Sequence, residues 1–228
     1  MSLLLPNRGE GVKKIIFLHR SVGENLINDG AVYTLLQEHT DISFCDFNQN
    51  TSLLRDNTGT QKTSYQMPGS NTTPHDFAAL FRDDYQSPLK DFVMQHDVII
   101  IKSCYPNSNI KSTEDLQHIK NDYASIAQFF ASYPAKQLII MTSPPLVPLM
   151  TSAANATRAR ELATWLSLKQ FGSNITVFNF FDHLAADSGH HSNMLRPGYR
   201  RLLPFDSHPN RRASQVIAPT FVSSLVRS

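Results

Sequence analysis

The sequence predicts an α/β fold, a three-layer α/β/α sandwich built on a five-stranded parallel sheet. Short apolar runs recur along the 228 residues, and helical patterns separate them. Near-continuous apolar runs are typical of strands that are buried on both faces, as in parallel sheets. Strands that alternate with helices and connect by right-handed crossovers form three layers. The predicted strands are residues 12–18, 42–47, 98–101, 138–141 and 175–181.

The predicted helices lie between these strands. The clearest begins near Ser112, where Ser-Thr-Glu-Asp is typical of an N-cap followed by an acidic first turn. A second is predicted over residues 153–171, and shorter pieces over 77–92 around Pro88. Residues 48–73 are polar and without clear periodicity, so they predict a long loop, which in a compact domain is usually functional or mobile.

Length and composition limit the classes of protein that this chain resembles. A length of 228 residues predicts one domain spanning 1–228, and 41% hydrophobic with 18% charged residues is typical of a globular protein. A net charge of +2 does not favour a nucleic acid or an acidic membrane as partner. No apolar run reaches transmembrane length, and two cysteines form no recognisable metal motif. Compartment and oligomeric state are left open.

Candidate catalytic residues follow the predicted strands. In parallel sheets ligands bind beyond the carboxyl ends of the strands, and Ser21 follows the first strand at a turn containing Gly23. A serine hydroxyl needs a base to take its proton, and the base needs an orienting group. His208 differs from the other histidines because Asp206 precedes it by two residues and Pro209 follows. Ser21 taken alone also fits a helix cap.

Together these residues resemble the SGNH or GDSL-type esterases and lipases. The order of a serine after the first strand and Asp-Ser-His-Pro-Asn near the C-terminus carries the resemblance. The sequence is similar to a divergent branch of this family. It has the motifs His-x-Ser-x-Gly at 19–23, Lys-Ser-Cys-x-Pro at 102–106 and Asn-Ala-x-Arg-Ala-Arg at 155–160. The resemblance implies a flavodoxin-like strand order. It also implies Ser21 as nucleophile, His208 as general base and Asp206 as the carboxylate that orients the histidine.

An oxyanion site is implied as well. The family forms it from the backbone N–H of the nucleophile, a glycine in the second of its characteristic sequence blocks and an asparagine in the third. Here these are Ser21, Gly69 in the irregular loop after the second strand, and Asn107, with Asn109 as the alternative asparagine. An asparagine N–H can donate to a developing oxyanion.

Three motifs differ from the usual family pattern. Gly-Asp-Ser becomes His-Arg-Ser at 19–21, Gly-x-Asn-Asp becomes Lys-Ser-Cys-Tyr at 102–105, and Asp-x-x-His is shortened by one residue. Because of the shortening, a backbone carbonyl or Asp182 is an alternative to Asp206.

Other side chains near the predicted site have two interpretations. Cys104 also follows a strand and is a competing nucleophile, although a buried small residue is the commoner role. The strands of Cys45 and Cys104 are expected to flank the first strand, about 9 to 10 Å apart, which predicts two free thiols. Five arginines between Arg196 and Arg212 fit either an anionic group of a substrate or ordinary surface pairing.

Two functions fit the sequence. The first is a serine esterase that acts on a small ester, such as an acetylated carbohydrate, through an acyl-enzyme and without a cofactor or metal. The second is an inactive protein of the same fold that binds a carbohydrate or another small ligand.

Overall fold

The computed structural model describes residues 11–227, so residues 1–10 and 228 of the predicted domain lie outside the described residues. Seven strands form one sheet. They are β1 (Lys13–His19), β2 (Ile42–Asn48), β3 (Leu53–Asp56), β4 (Gly59–Lys62), β5 (Val98–Lys102), β6 (Gln137–Met141) and β7 (Ile175–Phe178). Their order across the sheet is β4-β3-β2-β1-β5-β6-β7.

The five strands predicted from the sequence are the parallel part of this sheet, with β2 and β5 on either side of β1. Counted along the chain, they follow the order 2-1-3-4-5 of flavodoxin-like folds. In that order the sheet binds ligands where the connections diverge, beyond the carboxyl ends of β1 and β5.

The prediction of a five-stranded sheet is wrong in its count. Part of the predicted loop at 48–73 forms an antiparallel hairpin, in which β3 pairs with β2 and β4 pairs with β3 at the edge of the sheet. All four residues of β4 are exposed. An exposed edge hairpin buries no apolar face, so it lacks the alternation of apolar and polar residues that identifies strands in a sequence. The last predicted strand also ends early, at Phe178, because Asn179 caps the helix that follows.

Helices cover both faces of the sheet. They are α1 (Ser21–Asp29), α2 (Val32–Leu36), α3 (Pro74–Leu80), α4 (Pro88–Val93), α5 (Thr113–Ala131), α6 (Ala153–Leu168), α7 (Phe180–Leu184) and α8 (Arg211–Val226). The N-cap predicted at Ser112 is confirmed, with Asp115 completing a capping box. Within residues 11–227 no helix is both long and apolar enough to span a membrane.

Two apolar clusters, one on each face, hold the three layers together. Ile16 and Leu18 of β1 point to the cluster that includes α3, α5 and α6. Ile15 and Phe17 point to the cluster that includes α1 and α8. Because strand residues alternate between faces, a parallel strand covered on both sides is apolar along its length. The three-layer sandwich predicted from the sequence is therefore confirmed.

Candidate active site

Ser21 lies at the carboxyl end of the central strand, two residues after His19, the last residue of β1. It is the first residue of α1 rather than its N-cap, which is Arg20. The carbonyl oxygen of Arg20 accepts hydrogen bonds from the N–H groups of Gly23 (2.7 Å) and Glu24 (3.2 Å) and so closes the turn. The N–H groups of Ser21 and Val22 precede this pair and have no intrahelical acceptor, and the side chain of Arg20 does not cap them. The turn therefore presents a hydroxyl beside polarised backbone donors.

The structure brings Ser21, His208 and Asp206 together. Oγ of Ser21 lies 2.9 Å from Nε2 of His208, and Nδ1 of His208 lies 2.6 Å from Oδ1 of Asp206. The same oxygen accepts the backbone N–H of His208 at 2.9 Å. Partial burial would raise the pKa of Asp206, but the hydrogen bonds and charge of His208 more than offset it and lower that pKa. An ionised Asp206 accepts a hydrogen bond from Nδ1–H, which leaves Nε2 as an acceptor for the serine hydroxyl.

The loop that carries His208 is held on several sides. Ser207 is fully buried, and its Oγ accepts the backbone N–H of Val147 at 3.1 Å. Asn210 caps α8 through its side-chain oxygen. The ring of Tyr105, which follows β5, packs edge-on against the imidazole with 5.0 Å between ring centroids. These contacts hold the His208 imidazole in one orientation.

Asp182, the alternative carboxylate, is held elsewhere. One of its oxygens accepts the side-chain amide of Asn179 at 2.7 Å, and it forms an ion pair with Arg160. It therefore orients the segment after β7, and within residues 11–227 it forms no hydrogen bond or ion pair with His208.

Gly69 lies in the loop next to the turn at residues 20–24, which carries Ser21. Its φ of +70° is in the left-handed region, and a Cβ there would overlap the carboxylate of Asp76, so only glycine fits. The guanidinium of Arg20 donates to the carbonyl of the next residue, Ser70, and thereby holds this loop against the turn that carries Ser21. The role of Gly69 as an oxyanion donor stays a prediction.

The two candidate asparagines make other contacts. The Asn107 side chain donates to the carbonyl oxygen of Cys104 within its own short turn, at 3.1 Å. Asn109 accepts hydrogen bonds from the side chains of Thr151 (3.1 Å) and Asn155 (2.8 Å) at the start of α6. Asn155 belongs to the Asn-Ala-x-Arg-Ala-Arg motif, which thus braces the loop after β5. The assignment of Asn107 to the oxyanion site stays a prediction.

A buried charged network lies beneath the turn at residues 20–24. His19 is fully buried, with Nε2 2.8 Å from Oδ2 of Asp46 and Nδ1 3.0 Å from the carbonyl oxygen of Arg20. The ring is therefore held at both of its nitrogens. Burial alone would raise the pKa of Asp46, but hydrogen bonds and charges from His19 and Arg55 bring that pKa below its usual value. The network therefore fixes the carbonyl that closes the turn.

Sequence reasoning missed this network. Asp46 is a buried carboxylate within β2, an otherwise mostly apolar strand, and its other oxygen accepts Tyr33 Oη at 2.7 Å and Arg55 Nε at 2.9 Å. A charged residue in a strand buried on both faces is a usable sequence signal, because buried charges need partners. Its partner His19 comes from a neighbouring strand, so the pairing is visible in the fold alone.

Gly23 explains the last position of the His-x-Ser-x-Gly motif. A Cβ at this position would overlap Cβ and Cγ of His19, which is itself fully buried. We expect Gly23→Ala to lower the free energy of unfolding by about 1–3 kcal/mol, because α1 must move away from β1. Urea denaturation measures this. Gly198→Ala is the matched control, since nothing lies within 4 Å of a Cβ there. Equal stability of the two variants would show that the turn has room to relax.

The cysteines and arginines near the site are mostly accounted for by structure. Cys45 and Cys104 are buried free thiols, as predicted. Arg196 and Arg200 donate to backbone carbonyls at 2.7 Å, and Nη1 of Arg201 lies 3.7 Å from Oδ2 of Asp206. These three arginines thus support the loop that leads to His208.

Comparison with known proteins places the fold. No protein-family model matches the sequence. No curated protein sequence matches it significantly. Solved structures do match along most of the chain.

A lipase from a goat rumen metagenome superposes with a TM-score of 0.59 at 11% identity, over 93% of this chain and 97% of that one. A GDSL-like lipase from Bacteroides thetaiotaomicron gives a TM-score of 0.56 at 11% identity, over 94% and 88%. A catalytic mutant of an acetylxylan esterase from Geobacillus stearothermophilus gives 0.51 at 11% identity, over 94% of each chain. Together with the strand order, these likenesses show that the chain has the α/β/α sandwich fold of the SGNH or GDSL-type hydrolases.

Proposed function

We propose that this protein is a serine esterase that hydrolyses a small ester through an acyl-enzyme intermediate. The observation that carries the proposal is the continuous path from Ser21 Oγ to His208 Nε2 (2.9 Å) and from His208 Nδ1 to Asp206 (2.6 Å). The three residues come from opposite ends of the chain, and their side chains meet at the edge of the sheet where such folds bind ligands. The printed names of the similar structures, two lipases and an acetylxylan esterase, support the same reaction class.

The proposed reaction has two halves. Ser21 Oγ attacks the ester carbonyl while His208 Nε2 takes the hydroxyl proton, and Asp206 stabilises the imidazolium that results. The tetrahedral intermediate collapses as the C–O bond to the alcohol breaks, and His208 returns the proton to the leaving oxygen. A water molecule then attacks the acyl-enzyme with His208 again as base, which releases the acid and restores Ser21. These steps require no cofactor.

The developing oxyanion needs donors that are aimed before the reaction starts. The N–H of Ser21 in the first turn of α1 is the first donor that we propose, and the N–H of Gly69 is the second. Asn107 would serve as a third donor if its amide left the carbonyl of Cys104, which it bonds at 3.1 Å. An acetylated carbohydrate is the substrate that we propose, on the likeness to an acetylxylan esterase.

Labelling with a fluorophosphonate probe tests the proposal. We expect wild-type protein to take up one label on Ser21, because the probe requires a serine activated by a base. Ser21→Ala should abolish both labelling and hydrolysis of 4-nitrophenyl acetate. Cys104→Ala is the matched control at the competing nucleophile, and it should keep the label. Peptide mapping of the adduct identifies the residue directly.

The outcome separates the two candidate functions. Labelling that persists in Ser21→Ala would refute Ser21 as the nucleophile. A correctly folded wild-type protein without label or turnover would favour the inactive binding protein instead. The altered motif Lys-Ser-Cys-Tyr at 102–105 would then be the cause.

A further inference from the structure

A polar pocket of about 320 Å³ lies beside the turn at residues 20–24. Among the residues that the structure describes, its lining includes one cation, Arg20, no carboxylate, and several amide and hydroxyl side chains, such as Gln49, Asn50, Gln66 and Ser70. Gly69, a proposed oxyanion donor, lies in the same wall. The pocket therefore adjoins the position that the ester carbonyl would occupy.

In the described part of the chain, no carboxylate lies within ion-pair distance of Arg20. Its guanidinium donates to the carbonyl oxygen of Ser70 and to the side-chain oxygens of Asn71 and Asn50. All three acceptors are neutral. None of the ion pairs formed within residues 11–227 involves Arg20.

The carboxylates of neighbouring segments are oriented by other groups. Asp76 accepts the backbone N–H of Thr73 at 2.9 Å within the capping box of α3. Glu24 accepts the side-chain amide of Asn48 at 2.9 Å. A half-buried guanidinium with neutral acceptors keeps its full attraction for an anion, and it binds carboxylates with directed, charge-assisted hydrogen bonds.

The amides of the pocket add donors to this cation. Asn50 receives the Arg20 bond through Oδ1, so its Nδ2 is left as a donor. Gln49 is fixed at both ends of its amide, by the carbonyl of Gly69 (3.0 Å) and the N–H of Thr72 (2.8 Å). It holds the wall of the pocket in place.

We propose that this pocket binds a carboxylate carried by the ester substrate, with Arg20 as the residue that determines specificity. The inference rests on the proposed function, since Ser21 must act on an ester bound next to Arg20. The substrate class is then an ester in which the acyl group or the alcohol bears a carboxylate close to the scissile bond.

Matched ester pairs test the inference. On the acyl side, the 4-nitrophenyl monoester of adipic acid is compared with 4-nitrophenyl hexanoate. On the alcohol side, 4-carboxyphenyl acetate is compared with its methyl ester. We expect Arg20→Gln to lower the ratio of kcat/KM for the anionic ester to that for the neutral ester by about tenfold to a hundredfold in at least one pair, as charge-assisted hydrogen bonds do.

Further variants keep the result interpretable. Gln66 is exposed in the pocket wall, so Gln66→Glu adds a competing carboxylate without removing a contact of Arg20 and should lower the same ratio. It also decides the question if Arg20→Gln fails to fold. Arg227→Gln is the control, because it removes an equal charge from an exposed position at the C-terminal end of α8, beside Gln137 at the start of β6, and should leave the ratio unchanged.

An equal ratio in wild type, Arg20→Gln and Gln66→Glu for both pairs would overturn the inference and leave Arg20 as a structural link to the loop. In that case hydrolysis of the neutral esters and labelling of Ser21 would still support the esterase. A wild-type protein that hydrolyses no ester and takes no label would instead refute the proposed function.

Discussion

Asp206→Asn is expected to lower kcat for ester hydrolysis by about 10⁴-fold. In the wild-type protein the carboxylate accepts a hydrogen bond from Nδ1–H of His208 at 2.6 Å. This bond directs the lone pair of Nε2 toward Ser21. An asparagine can turn its amide N–H toward Nδ1 and thereby favour the tautomer with the proton on Nε2. That tautomer cannot accept the serine proton. The loss should fall on kcat, since Asp206 does not contact the substrate in this mechanism.

The control for this experiment is Asp182→Asn, which removes the alternative carboxylate. Asp182 is paired with Arg160 and capped by Asn179, so the variant should keep most of its activity. Initial rates with 4-nitrophenyl acetate and the rate of fluorophosphonate labelling measure both variants. A near-normal rate for Asp206→Asn together with a large loss for Asp182→Asn would show that Asp182, and not Asp206, orients His208.

The meeting of Ser21, His208 and Asp206 could be predicted from the sequence because each residue lies in a recognisable local pattern. Ser21 lies where an apolar strand meets a glycine-containing turn, and Asp206 and His208 share one turn before a capped helix. Ser21 and His208 are 187 residues apart along the chain, and the strand order that brings them together is the one that the family resemblance implies. Short-range patterns therefore suffice when the fold supplies the long-range contact.

The remaining features depend on contacts that no local pattern encodes. The β3–β4 hairpin lies at an exposed edge, where burial does not constrain the residue types. The His19–Asp46 pair joins two strands, so its existence depends on the register of β1 against β2. Asn107 is held by its own turn, and the sequence does not distinguish an asparagine that bonds its own backbone from one that faces a substrate.

Lys102 is the group for which we expect the largest effect on stability. It ends β5 and follows Ile101, which pairs with Leu18, so it lies alongside His19. The side chain is fully buried, and within residues 11–227 its one hydrogen bond is to the carbonyl oxygen of Ser103 at 3.1 Å. Burial lowers the pKa of Lys102 to about 8, although the nearby Cys104 opposes the shift.

Such a lysine destabilises the folded state wherever it must be charged there. Below pH 8 it is protonated in both states, and the folded state carries the full cost of burying the charge. Between pH 8 and its ordinary pKa of 10.5, the unfolded chain binds more protons than the folded one, so the free energy of unfolding rises with pH. We expect that rise to contribute about 2 kcal/mol between pH 8 and pH 10.

Lys102→Met is therefore expected to raise the free energy of unfolding by roughly 3 kcal/mol at pH 7, because it replaces a buried cation with an apolar chain of similar length. The gain over wild type should shrink as the pH rises from 8 to 10, which separates loss of the charge from better packing. Urea denaturation across this range measures both. Lys90→Met is the matched control. Nζ of Lys90 donates to two carbonyls, of Arg82 at 2.6 Å and Tyr85 at 3.0 Å, so its removal should destabilise the fold. A Lys102→Met variant that is less stable than wild type at pH 7 would show that Lys102 has a partner that offsets its burial.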